Sequence, residues 1–160
     1  MPGQMVRELV SNDWIIGGTT EECAQRAMAL YECFVSERLF DTDCRTAEFL
    51  KMVESSNRDF DIAFANELSL IFGELNVDVW HAIEVANKHP RVSILQPSAG
   101  VGDHCIAVDP RFIIDAAPDA ARLILTAREV NDRGRCWVAE RLTSLSSRFR
   151  EPVVACFGIT

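Results

Sequence analysis

No two of the six cysteines, at 23, 33, 44, 105, 136 and 156, are separated by two residues. The spacing that marks zinc sites and dithiol redox centres is therefore missing, and no metal site is expected. With no sign of secretion, the thiols other than Cys105 are expected to be reduced and mostly buried. Basic residues are in deficit: 16 Lys and Arg face 24 Asp and Glu, for a formal charge of −8. That removes the broad positive footprint on which nucleic-acid binding rests, although one or two placed cations would still suffice for a small anionic ligand. No apolar run approaches the roughly 18 residues that cross a bilayer. No charged leader with an apolar stretch and a small-residue cleavage site opens the chain, so cytoplasmic residence is expected. Proline is absent between Cys44 and Leu75, and within that stretch glycine occurs only at Gly73.

What is present fits a globular protein with a core: 48% of residues are hydrophobic and 25% charged. Residues 4–10 predict a helical turn and Trp14–Gly18 a short strand ending in glycines. Thr19 with Glu22 three residues on forms a capping box for a helix through Cys23, Ala27, Leu30, Tyr31 and Phe34. Leu39–Thr42 reads as extended. Asp43 is a suitable N-cap for one long helix, Cys44–Leu75, about 45 Å at 1.5 Å per residue. Phe60, Phe64, Leu68 and Phe72 repeat along it every four residues, widened by Ala63 and Ile71. Such a stripe is core or interface, and a helix this long needs a neighbour along its length. Asp78 caps a shorter helix that ends before Pro90. Residues 91–110 read as loop. Pro118 suits the first turn of a further long helix. Its stripe of Leu123, Ala127, Val130, Trp137, Arg141, Leu145 and Phe149 is interrupted by Gly134. Val153–Gly158 reads as a buried strand.

The segment Gly100-Val101-Gly102-Asp103-His104-Cys105-Ile106-Ala107-Val108-Asp109-Pro110 offers the most chemistry. Glycines before a cysteine let backbone amides approach a ligand, and an ionised thiol is a covalent nucleophile. His104 and Asp109 are placed to tune it or to position water. On composition alone, the same residues also describe an ordinary turn with a packed thiol. Asp109 equally reads as a cap before Pro110, Lys51 as a solvated helix lysine, and Arg91 as a surface arginine. His81 reads as a helix-surface residue, and His89 and His104 as structural.

Several motifs in order change that balance. They are Arg45-Thr46-Ala47-Glu48-Phe49-Leu50-Lys51; Arg58-Asp59; Ile62-Ala63-Phe64-Ala65-Asn66-Glu67-Leu68-Ser69; Ala86-Asn87-Lys88-His89-Pro90-Arg91-Val92; and the cysteine segment. Together they resemble the UDP-glucose/GDP-mannose dehydrogenase family, most of all its UDP-N-acetylmannosamine dehydrogenases, over nearly the whole chain. The resemblance implies a mostly α fold: a long-helix dimerisation core with a few short strands belonging to truncated flanking α/β domains. Residues 1–43 would be the end of an NAD-binding domain, 44–150 the central helical domain, and 151–160 the first strand of a nucleotide-binding domain. It implies oxidation of a UDP-sugar C6 alcohol to a carboxylate in two NAD-linked steps, through a cysteine thiohemiacetal and thioester. Such uronic acids serve surface-polysaccharide synthesis.

By that resemblance Cys105 is the nucleophile, Lys51 steadies oxyanionic character, and Asp109 helps activate hydrolytic water. Arg91 reaches the substrate of a neighbouring subunit. Gly100, Gly102, His104 and Ser55 make the remaining substrate contacts. Ser55 stands where the family usually has Asn, and Asp103 where a second glycine is usual. The Gly-x-Gly-x-x-Gly fingerprint that seats NAD does not occur in these residues, so no cofactor-binding residue is assigned and the 160 residues alone are expected not to turn over. The expected partners are a second copy through the Cys44–Leu75 helix and a UDP-sugar, with neither nucleic acid nor membrane. The alternative is a non-catalytic helical dimerisation module derived from that family.

Overall fold

The computed structural model describes residues 3–155 except Asp103. They form six helices and two short strands, a mostly α chain, in two units divided at Glu54/Ser55.

The first unit opens with α1 (Met5–Ser11), followed by β1 (Trp14–Gly18), α2 (Glu21–Tyr31) and β2 (Leu39–Asp43). The strands pair in parallel, with Trp14 opposite Leu39 and Gly18 opposite Asp43. A parallel pair needs a crossover, and α2 supplies it. The two glycines that end β1 are required by packing. A Cβ on Gly17 would lie 2.5 Å from the Ala47 Cβ, and one on Gly18 would lie 2.5 Å from the Ala24 nitrogen. The N-cap of α2 is Thr20, one residue later than the sequence suggested. Thr20 is extended and its side chain accepts from the Cys23 N–H, leaving Thr19 outside the helix. Asp13 secures the return to β2, accepting from both the backbone N–H and the guanidinium of Arg38. Trp14, Tyr31 and Phe34 stack in sequence, with ring centroids 5.7 and 5.2 Å apart. As expected, Asp43 starts the long helix α3 (Cys44–Glu74), accepting from the Thr46 N–H at 2.9 Å and from its hydroxyl.

The second unit contains the remainder of α3, α4 (Val79–Ala86), α5 (His104–Ala116) and α6 (Arg122–Ser146). The end of α3 is set by Asn76, which takes a left-handed φ of 59°. The Val77 N–H then reaches back to the Phe72 carbonyl at 2.9 Å, a Schellman closure in which asparagine stands in for glycine. Asp78 caps α4 through the Trp80 and His81 N–H groups.

Several expectations are corrected here. The loop read over residues 91–110 ends earlier, because α5 begins at His104 and carries Pro110 inside it. Pro110 is tolerated because the Ile106 carbonyl, four residues back and deprived of a backbone donor, takes one from the Arg128 side chain. Pro118 lies in a turn before α6. Its neighbour Ala117 accepts from the Ala120 and Ala121 N–H groups, which puts proline at the second position of the turn, where its fixed φ suits. Of the apolar stripe on α3, expected as core or interface, Phe60 and Phe64 are exposed while Leu68 and Phe72 are half-buried. The inward face carries Ser55, Ser56, Asp59, Ala63, Ala65 and Asn66 instead. The five described cysteines are exposed, not buried, and none is in a disulfide; Cys156 lies outside the described residues. Of the strand expected over Val153–Gly158, residues 153–155 have no regular structure and the remainder lies outside the described residues.

Candidate functional site

Cys105 is the second residue of α5 and is exposed, as is His104 before it. Asp109 follows one helical turn later and is half-buried. Its Oδ2 accepts from the Ser55 hydroxyl at 2.7 Å, and Ser55 is itself buried on α3. Two of the sequence-predicted residues, Ser55 and Asp109, are thus brought together across 54 positions of the second unit's sequence.

The approach to Cys105 is tightly held. Gly100 has a φ of 147°, which side-chain-bearing residues rarely adopt, and a Cβ there would meet the Arg135 Cγ at 2.9 Å. Its carbonyl accepts from the Ser98 hydroxyl at 3.0 Å. The Ser98 N–H donates to Asn66 Oδ1 at 2.7 Å, which ties this segment to α3. Gly102 is exposed with open space around it, and Asp103 lies outside the described residues.

Arg91 occupies a turn closed by the Val92 N–H on the His89 carbonyl, with Pro90 at the second position, and is exposed. The loop carrying it is pinned by Asn87. The Asn87 amide donates to the Ile94 carbonyl at 2.8 Å and accepts from the Ile94 N–H at 2.7 Å. The Arg91 N–H donates to His89 Nδ1 at 3.3 Å. Lys51 belongs to the first unit, where it is an exposed residue of α3.

Beneath the cysteine segment lies a buried polar network that the sequence reading gave no role. Asp59 and Arg128 form an ion pair with side chains only 1% and 5% exposed. Asn131 donates to the Asp59 carbonyl at 2.9 Å and to its carboxylate at 2.8 Å, and accepts from Asn66 at 3.0 Å. Arg128 also donates to Asp132 at 3.0 Å, and Asp132 accepts in addition from Arg111 and Arg135. Asp59 Oδ2 and Arg128 Nε are buried without a hydrogen-bond partner. Burial pushes the Asp59 carboxyl above the usual carboxylate range. The Asn131 hydrogen bond and the Arg128 guanidinium work against that rise, and the neighbouring Asp132 charge adds to it. The pattern was visible only as polar residues at helical spacing: Ser55, Asp59 and Asn66 on one helix, Arg128 and Asn131 on another.

A cavity of about 370 Å³ opens beside this network, lined among others by Asn66, Trp80, Pro97, Ala99 and Trp137. Neither Cys105 nor Asp109 lines it, so it is not the cysteine site. Among the described residues no group of three His, Cys, Asp or Glu side chains is placed to hold a metal ion. Nor is any helix among them long and apolar enough to cross a membrane.

Residues 45–133 match the model of the UDP-glucose/GDP-mannose dehydrogenase family, central domain. The whole chain is 59% identical to the NDP-N-acetyl-D-galactosaminuronic acid dehydrogenase of Ralstonia solanacearum, covering 38% of that protein. Over 99% of its length it is 50% identical to the UDP-N-acetyl-D-mannosamine dehydrogenase of Escherichia coli (strain K12), covering 40% of it. The structure superposes on the UDP-N-acetyl-mannosamine dehydrogenase from Staphylococcus aureus with a TM-score of 0.85 and 43% identity, covering all of this chain and 37% of that one. The chain therefore spans about two fifths of the length of the relatives it matches.

Proposed function

Because the chain belongs to the UDP-glucose/GDP-mannose dehydrogenase family, we propose that it is the catalytic centre piece of a nucleotide-sugar 6-dehydrogenase. In this reading the whole protein oxidises the C6 alcohol of a UDP-linked N-acetylhexosamine to a carboxylate, with NAD as hydride acceptor. The observation that carries the reading is the Ser55–Asp109 hydrogen bond, which joins the second-unit part of α3 to the cysteine-bearing helix α5. Asp109 is held one turn beyond Cys105 on the same helix, with its other carboxylate oxygen outside that bond.

The roles follow from ordinary carbonyl chemistry. Two hydrides must leave C6, both to an acceptor held outside the described residues. The first loss turns the alcohol into the aldehyde, and the Cys105 thiol adds to the aldehyde carbon to give a thiohemiacetal. The second loss leaves a thioester, from which water releases the carboxylate and restores the thiol. Lys51 offers an ammonium to the oxygen on which negative charge develops. Asp109, oriented by Ser55, holds the water that attacks the thioester. The backbone at Gly100 and Gly102, with His104, lines the approach of the sugar, and Arg91 extends to the substrate of a second subunit.

The described residues do not fit NAD. Their only parallel strands are the β1–β2 pair, with no Gly-x-Gly-x-x-Gly turn between strand and helix. No step performed by these residues is therefore routed through the dinucleotide, and the 160 residues by themselves are expected not to turn over.

We further place the assembly as a homodimer through the Cys44–Leu75 helix. In support, Phe60, Phe64 and Ile71 of α3 are 37%, 43% and 43% exposed although they are large and apolar. Light scattering across a dilution series tests this, and one chain's mass at every concentration refutes it.

The decisive test of the function uses the whole dehydrogenase containing this segment, incubated with NAD and UDP-N-acetylmannosamine. Cys105→Ser is expected to abolish product formation. Ser55→Ala is expected to slow thioester hydrolysis, so that a sugar adduct accumulates on Cys105 and is seen by mass spectrometry. Full turnover by Cys105→Ser sinks the reading.

A further inference from the structure

We infer that Arg128 is a positioning residue for Cys105, acting through the Ile106 carbonyl; the inference rests on reading Cys105 as the nucleophile. Proline at 110 has no N–H, so the Ile106 carbonyl lacks the bond that would lock the first turn of α5. Arg128 Nη1 takes that place at a long 3.4 Å, while the same nitrogen is paired with Asp59. The guanidinium is 5% exposed and is braced on its other arm by Asp132, so it is a fixed donor.

The same network grips the chain upstream of the cysteine. Asn131 bonds to Asp59, Asn66 donates to Asn131, and Asn66 accepts from the Ser98 N–H. The chain is thus anchored at Ser98, seven residues before Cys105, and at Ile106, one residue after it. Both anchors run to the Asp59–Arg128–Asn131 cluster. Arg128 sets the downstream anchor, and with it the direction in which the first turn of α5 presents the thiol. Proline at 110 makes this possible, because an ordinary residue would satisfy Ile106 from within the helix and leave the guanidinium redundant there.

That redundancy supplies the test. In the whole dehydrogenase containing this segment, the rate of iodoacetamide alkylation at Cys105 is followed by peptide mass spectrometry, with circular dichroism as the check on folding. Arg128→Lys keeps the charge but loses the fork that reaches Asp59, Asp132 and Ile106 together. It is expected to change the Cys105 rate by about fivefold or more, the scale of a charge-assisted hydrogen bond. Pro110→Ala restores an N–H to the Ile106 carbonyl. In that background Arg128→Lys is expected to change the rate by less than about twofold, on the same scale. An equal effect of Arg128→Lys in both backgrounds overturns the inference, because a merely structural role would be insensitive to residue 110. No effect in either background overturns it as well. If Arg128→Lys does not fold, Asp59→Asn with Arg128→Gln removes both buried charges at once and is read in the same two backgrounds by the same criterion. The rate reports thiol presentation, not turnover, so its outcome stays separate from the activity of Cys105→Ser.

Discussion

Replacing Asp59 with alanine should damage the second unit far more than replacing it with asparagine. Alanine leaves the Arg128 guanidinium buried, with Asp132 as its one remaining carboxylate, and takes from Asn131 one of its two acceptors on Asp59. Removing one partner of a buried ion pair typically costs about 3–5 kcal/mol. Asp132 is 34% exposed and still takes one guanidinium arm, which argues for the lower part of that range. Adding about 1 kcal/mol for the lost Asn131 bond gives about 4 kcal/mol in total. Asparagine keeps an acceptor at the Oδ1 position. Both Arg128 and Asn131 therefore keep a hydrogen-bond partner there, so its cost should stay near 1–2 kcal/mol, the value of a weakened hydrogen bond. With a urea dependence of about 2 kcal/mol per molar, alanine should lower the midpoint by about 2 M and asparagine by less than about 1 M. The assay is urea unfolding followed by tryptophan fluorescence in a Trp14→Phe background, so that the signal comes from Trp80 and Trp137 of the second unit. The compensating pair Asp59→Leu with Arg128→Met removes both charges and should lie closer to the parent than Asp59→Ala. Equal midpoints for alanine and asparagine, or an alanine shift below about 0.5 M, would refute the account of a charge stranded in the interior.

The two units should respond to acid in opposite senses. Asp13 is held below the usual aspartate value of 3.8 by the Arg38 backbone N–H and then by its side chain. Asp43 is held below it by the Thr46 hydroxyl and then by the Thr46 N–H. Their contribution to stability is present above 3.8 and is lost as pH falls through the lowered values. Asp59 is shifted upward, so its contribution is complete below 3.8 and is lost as pH rises through the raised value. Denaturant midpoints measured between pH 2 and 6 should therefore flatten at the acid end in Asp13→Asn and Asp43→Asn, and change slope in the other sense in Asp59→Asn; slopes identical to the parent would contradict the assignment. Asn87→Ala removes both bonds to the Ile94 backbone, which should cost about 1–3 kcal/mol and speed amide exchange at Ile94; unchanged exchange there would show that the loop is held by something else. Gly100→Ala places a side chain at a φ of 147° and against Arg135, for an expected loss of about 1–3 kcal/mol in urea unfolding; a neutral result would mean that this backbone relaxes freely.

The helices were legible in the sequence wherever a local chemical signal marked their ends. Asp43 and Asp78 each cap as the sequence suggests, because the carboxylate competes with nothing else for the first N–H groups. The Thr19-Thr20 pair offered two capping oxygens one residue apart, and only the packing of β1 against α2 selects the second. Pro110 misled more seriously. A proline inside a helix is unfavourable from local sequence alone. What makes it tolerable is a guanidinium 18 positions downstream, which no local pattern announces. Ser55 and Asp109 were both singled out as site residues through the family motifs, yet their direct bond, spanning 54 positions, required coordinates. Asp59 and Asn131 escaped for the opposite reason. Polar residues on a helix are read as solvent-facing by default, and only their mutual satisfaction makes burial affordable.

That inversion bears on the rest of α3. A surface helix normally turns its large apolar residues inward and its polar residues out. Here the inward positions hold Ser55, Asp59, Ala63 and Asn66, small or paired side chains that allow α5 and α6 to approach closely. The phenylalanines at 60 and 64 are left outside. Phe60 and Phe64 keep 37% and 43% of their surface in water, which forfeits roughly 0.6–1.2 kcal/mol for each, two fifths of the value for a large side chain buried from full exposure. A second copy applied along α3, as proposed above, would recover that. The polar core fills the inner face of α3 with hydrogen-bonded groups and leaves Phe60 and Phe64 exposed, and it is on that exposure that the proposed homodimer rests.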